Sequence, residues 1–160
     1  MLVFVSLHFI SIKTFIMKHL SFILIFLTFL SCKVEPQPIN YGKDHCHLCD
    51  MTVVDKTHAA EYVTKKGRSY PFDSAECLIW KLNKDKNEDQ MAYILVADYA
   101  NPGTLVDAKK ATYLISENIK SPMAANLSAF SSREEAQKAK DEYGGKLYNW
   151  KEIKAKLSKK

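Results

Sequence analysis

The sequence predicts an α+β fold made of two small β-β-α-β units in tandem. Three observations predict it. Twice, a pair of short β-prone runs is followed by a helical stretch and a further extended run. Each helical stretch opens on the same signature, Phe72-Asp73-Ser74-Ala75-Glu76 and Phe130-Ser131-Ser132-Arg133-Glu134: an aromatic residue, then a capping side chain with Glu three residues on. The length of 160 residues, less an apolar leader, leaves room for one compact domain or two very small ones.

In the first half, about 45–99, a strand is expected over Ala59 to Thr64, a turn at Lys65-Lys66-Gly67 and a second strand over Arg68 to Phe72. A helix then opens at Asp73, because Ala75, Leu78, Ile79 and Leu82 fall at i, i+3, i+4 and i+7 on one face. The run Met91 to Ala97 is nearly all apolar and suits a buried central strand. In the second half, about 100–153, strands are expected over Thr104 to Asp107 and Ala111 to Ile115. A loop carrying Pro122 leads to a helix from Ser131 to Gly144-Gly145, where glycine suits a left-handed cap, and a last strand runs from Lys146 to Trp150. Residues 154–160 read as a basic tail.

Residues 1–31 read as a leader. Met17-Lys18-His19 followed by Leu20 to Leu27 has the charged and apolar regions of a secretory signal, so translation is expected to start at Met17. The signal ends in Phe29-Leu30-Ser31-Cys32, which resembles a bacterial lipobox with Cys32 as the lipidated new N-terminus. The run Leu20 to Leu30 is short for a transmembrane helix, which needs about 20 apolar residues; the rival is an uncleaved anchor from Leu2 to Leu30. Residues 32–44, with Pro36 and Pro38, read as an extended tether between membrane and head. The location expected is the periplasm, on a bacterial membrane.

Lys and Arg number 23 against 18 Asp and Glu. Lys13 and Lys18 precede Cys32, so the excess from Cys32 onward is only +3. Much of it lies in Lys151, Lys154, Lys156, Lys159 and Lys160, a pattern that suits a solvated helix face; a nucleic-acid partner is discarded.

Chemistry concentrates in Asp44-His45-Cys46-His47-Leu48-Cys49-Asp50-Met51. Thiolates and thioethers prefer Cu(I), and a thioether donor is unusual for zinc. A loop can turn Cys46, Cys49 and Met51 inward together, while His45 and His47 are better placed as supporting or alternate ligands. Haem attachment is excluded because Asp50, not His, follows Cys49. A structural zinc site lacks a second C-x-x-C or H-x-x-x-H. A redox pair would follow a strand and open a helix, and this one follows a proline tether. A Cys46–Cys49 disulfide with Met51 in the core stays open beside the metal reading. Cys77 reads as a small hydrophobe within a helix, His58 as an edge histidine, and Met123, after Pro122, as a loop thioether outside any apolar period.

The ordered set Cys46-x-x-Cys49-x-Met51, Tyr70-Pro71-Phe72-Asp73, Asp107-Ala108-x-x-Ala111-x-Tyr113, Ser121-Pro122-Met123, Leu127-Ser128-Ala129-Phe130, Ala136, Gly144-Gly145 and Trp150 resembles the NosL family. The resemblance covers roughly Cys46 to Ile153. It implies a fold similar to organomercurial lyase and a periplasmic lipoprotein without catalytic turnover. Such a protein binds Cu(I) and supplies it to nitrous oxide reductase, with that enzyme's ABC-type maturation complex as partner, in denitrification. Carried onto this sequence, the copper candidates are Cys49, Met51 and Met123, with Cys46 beside them. The family usually has glycine where this chain has Asp50 and Ala124. The runner-up function is a membrane-tethered thiol–disulfide oxidoreductase using Cys46 and Cys49.

Overall fold

The computed structural model describes residues 33–158. The leader and Cys32 lie outside the described residues. The chain divides into two compact bodies, Met1–Lys33 and Val34–Lys160, and the described strands and helices, with both β-β-α-β units, all belong to the second.

Strands β1 (Ala60–Thr64), β2 (Ser69–Phe72), β3 (Met91–Ala97) and β4 (Leu105–Asp107) form one antiparallel sheet in the order β2-β1-β3-β4. Helix α1 (Ala75–Asp85) lies between β2 and β3 in the chain, followed by a 3-10 turn at Glu88–Gln90. Strands β5 (Thr112–Ile115), β6 (Leu127–Phe130) and β7 (Lys146–Tyr148) form a second antiparallel sheet, ordered β6-β5-β7, with helix α2 (Arg133–Tyr143) between β6 and β7. Helix α3 (Trp150–Leu157) closes the described chain. In both units the first strand sits between the second and the strand after the helix. The repeat is therefore present at the level of topology, in a mixed α+β architecture.

Two elements of the second half differ from expectation. Leu105–Asp107 is not the first strand of the second unit but the edge of the first sheet, pairing with Leu95–Ala97 of β3. Its place is taken by Thr112–Ile115, which pairs with Leu127–Phe130, a strand hidden in what reads as a loop. Leu127-Ser128-Ala129-Phe130 is buried on both faces and lacks the polar alternation that marks a half-exposed strand. Lys154 to Leu157 is likewise not tail but the end of α3. That helix is held by an Asn149–Glu152 capping box and by burial of Ile153 and Leu157.

Helix starts also shift by one residue, equally in both repeats. The N-caps are Ser74 and Ser132, whose side chains accept from Cys77 N and Glu135 N, rather than Asp73 and Ser131. The expected Asp73–Glu76 capping box does not form, which leaves both carboxylates free for tertiary roles.

α1 packs against β1 and β2 and also against β6 and α3, so its buried face joins the two units. One core runs through Phe72, Leu78, Ile79 and Leu82 to Tyr113, Leu127 and Ile153. A smaller core of Leu114, Phe130, Ala136 and Ala139 seats α2. His58, which reads as an edge residue, is 5% exposed and bridges the halves. Its Nδ1 lies 2.7 Å from Asp55 Oδ2 and its Nε2 3.2 Å from Ser128 Oγ. Ser128 is itself buried at 1% exposure within β6, so this acid–imidazole–hydroxyl chain is a joint and not a reaction centre.

Candidate metal centre

The cysteine-rich segment folds as a tight loop. His45 and Thr52 form an isolated antiparallel bridge. Between them Cys46 N donates to Met51 O at 2.8 Å, and Asp50 N donates to Cys46 O at 3.0 Å. Closing that turn puts Asp50 at φ +63°, in the left-handed region. His47 N then donates to Pro71 O at 2.9 Å, which ties the loop to β2 two residues before Asp73. Because Ser74 caps α1, Asp73 lies just outside the helix and Cys77 within its first turn, and both meet the loop.

The result is a cluster in which one ligand atom each of Cys46, Cys49, Asp73 and Cys77 lies within 4.8 Å of the others. Cys46, Asp73 and Cys77 are buried and Cys49 is partly exposed, so Cys49 forms the mouth. All three cysteines are free thiols, so the Cys46–Cys49 disulfide is not formed in this structure. Neither oxygen of Asp73 accepts from an N–H or O–H group among the described residues; the Cys77 thiol is what faces it. A buried carboxylate without such a donor is costly unless a cation compensates it.

The electrostatics point the same way. The Cys46 thiol is brought down to about 6, chiefly because the Cys77 thiol hydrogen-bonds to it; burial opposes this, and main-chain amides of Asp73, Cys49 and Leu48 add to it. Cys77 is pushed far up by that hydrogen bond, by burial and by Asp73. Cys49 is raised first by burial and then by the charges of Cys46 and Asp73, against the amide of Met51. The cluster holds one thiolate readily and resists the others. An incoming soft cation reverses that balance, because it binds the thiolates and releases their protons.

The other sequence-identified residues sit around this cluster. Met51 is 50% exposed, next to the mouth. Met123 is partly buried and packs against the core to which Cys46 and Cys77 belong. His45 turns back onto its own loop, with Nδ1 2.9 Å from Asp50 O. His47 stacks on Tyr70 at 4.3 Å between ring centroids, and burial, with Lys81 and Arg68 nearby, lowers its pKa. Neither histidine is among the four clustered ligands. Asp73 and Cys77 belong to the cluster without having been nominated from the sequence. Their i, i+4 spacing was the available signal, since it sets two donors on one side of a helix start.

A family model, NosL, matches residues 38–158. The chain belongs to the NosL family. The copper-binding lipoprotein NosL of Stutzerimonas stutzeri is 28% identical over 120 residues, covering 71% of this chain. The chain spans about 63% of the length of that curated relative. The crystal structure of the copper chaperone NosL from Shewanella denitrificans superposes with a TM-score of 0.65 at 23% identity, over 75% of this chain and 96% of that one. This likeness establishes the NosL fold. Asp50 and Ala124, the two positions where the sequence reading expects glycine, both lie in the left-handed region that favours it, at φ +63° and +58°.

Proposed function

We propose that this protein is a membrane-anchored Cu(I) chaperone that supplies copper for maturation of nitrous oxide reductase. Cys46, Cys49 and Cys77 hold the cargo, with Asp73 beside them and the thioethers of Met51 and Met123 on the loops around. The observation that carries the reading is the convergence of three thiols, within 4.8 Å, on a buried carboxylate that no N–H or O–H group compensates among the described residues. Soft sulfur donors select Cu(I). Family membership supports the same metal, since both relatives are named for copper, and neither copper binding nor chaperoning is a catalytic role. The Stutzerimonas stutzeri relative is a lipoprotein, which supports lipidation at Cys32 and a periplasmic site on the membrane. Among the described residues no helix is long and apolar enough to cross a membrane.

The oxidoreductase reading fares worse on the cysteines themselves. Such an enzyme attacks with an exposed, acidified thiol. Here the acidified thiol is Cys46, which is 3% exposed, while the more accessible Cys49 is shifted the other way.

Competition between the reduced protein and a colorimetric Cu(I) chelator, with Zn(II) as rival, tests the metal. Cu(I) is expected to win by a wide margin, and equal or tighter zinc binding would overturn the reading. Delivery is tested by deleting the gene and measuring copper in nitrous oxide reductase. Loss of copper, restored by the parent gene but not by Cys46→Ser/Cys49→Ser, is expected; full copper loading in the deletion strain would refute delivery.

A further inference from the structure

The first turn of α1 serves the thiol cluster, and its later turns border a second feature. Three positions beyond Cys77, Trp80 joins Leu48 and Leu157 in lining an open cleft of about 590 Å³. Leu48 immediately precedes Cys49, so the cleft begins where the mouth of the thiol cluster ends. Its far wall is α3, fixed by Asn83, whose Nδ2 donates to Lys154 O at 3.1 Å and to Ser158 Oγ at 2.8 Å. Lys84 and Lys86 stand exposed on the rim, and among the described residues no carboxylate lines the cleft. Neighbouring cations are neutralised: Lys81 by Asp85 at 3.1 Å and Lys154 by Glu88. Among the described residues no acid pairs with Lys84 or Lys86.

We propose that this cleft docks a segment of a partner protein in which an aromatic or aliphatic side chain is flanked by carboxylates. The apolar lining takes the side chain and the two unpaired lysines take the flanking charges, an arrangement that steers encounter and fixes register. The bound segment then lies beside Cys49, at the mouth of the site. A membrane fits less well, because bilayers take up protruding apolar residues, whereas Trp80, Leu48 and Leu157 line a recess. The purpose of the cleft rests on the copper reading; its binding chemistry does not.

The test uses the full-length protein and three dye-labelled hexapeptides, followed by fluorescence anisotropy without metal. They are an acidic peptide with a Leu-Phe centre, the same centre flanked by lysines, and an acidic peptide with a Gly-Ser centre. The first is expected to bind, more weakly as salt rises, and the other two not. Lys84→Glu/Lys86→Asn should weaken it roughly tenfold while Cu(I) affinity is kept; Asn suits the left-handed φ of +52° at position 86. No binding at millimolar peptide, or equal binding by the double variant, would overturn the proposal. So would two other losses in that variant: of binding to phosphatidylglycerol–phosphatidylethanolamine vesicles, which marks a membrane face, or of self-association, which marks a dimer face. Peptide binding that survives alongside failed Cu(I) binding would sink the copper reading alone.

Discussion

The hydroxyl of Ser121 donates to Oε1 of Glu76, pinning the loop before β6 to the first turn of α1. Ser121 Oγ also accepts from Leu127 N at 3.3 Å, where β6 begins. Glu76 precedes Cys77 and Ser121 lies two residues before Met123, so this bond sets the second half's thioether loop against the first half's thiol site. Glu76 is fully buried and its other oxygen has no partner among the described residues.

Ser121→Ala should therefore strip a buried carboxylate of its side-chain donor and destabilise the fold by about 2–3 kcal/mol. It should also loosen the Met123 loop and lower Cu(I) affinity. Urea unfolding and chelator competition read the two effects. A fully stable variant with unchanged affinity would show that the loop is held by packing alone.

The donor set makes a prediction about metal choice. Cys77→Ser should cost Cu(I) affinity at least as much as loss of an outer partner does, about 10- to 100-fold. Asp73→Asn keeps the shape but replaces an anionic oxygen donor by a neutral, weaker one, so affinity for the harder, divalent Zn(II) should fall more than Cu(I) affinity. Competition titrations with both metals decide it; equal losses would mean that Asp73 does not discriminate between the two ions.

Met123→Ala and Met91→Ala should separate binding from stability. Met91 is 8% exposed within β3, and its truncation should cost about 2–5 kcal/mol with copper affinity kept. Met123 is only partly buried and should show a smaller stability loss with weaker Cu(I) binding. Parent-like copper affinity in Met123→Ala would make that residue packing and confine the site to the cluster and Met51.

At position 124 an alanine occupies the left-handed region, which costs an L-residue about 1–2 kcal/mol. Ala124→Gly should recover up to about 1 kcal/mol after the added freedom of the unfolded chain is subtracted. Asp50→Gly should be nearly neutral, since aspartate tolerates that region. Shifts in urea midpoint measure both, and a destabilised Ala124→Gly would show that the methyl group has a packing role.

Glu88 gives an acid limb to stability. Burial raises its pKa, but hydrogen bonds from Lys154 and Trp150 and the charges of Lys154 and Lys109 outweigh this, so it is lowered overall. A lowered carboxylate contributes stability that is fully present above its unfolded value, about 4.3, and is lost as pH falls through the folded value below that. Stability should therefore fall below about pH 4.3, and Glu88→Gln should flatten that part of the curve. An unchanged slope in the variant would assign the acid limb to other carboxylates.

The elements with strong local signals were legible in the sequence: β1, β2, α1 and β3 through their residue patterns, and the repeated helix starts to within one residue, the caps being Ser74 and Ser132 rather than Asp73 and Ser131. The Cys46–Cys49 loop announced itself by residue type. What the sequence could not show was partner choice across the chain. Leu105–Asp107 has no local property that says which sheet it joins; the free edge of β3 decides that. Leu127–Phe130 carries no alternation, because both of its faces are covered. The site divides in the same way. Residue chemistry nominated Cys46, Cys49 and the methionines, but the helix cap at Ser74 and the hydrogen bond from His47 to Pro71 bring Asp73 and Cys77 to them. The cap is local, but the bond from His47 to Pro71 joins segments far apart in sequence, so only the tertiary structure could decide that the helix start and the loop meet.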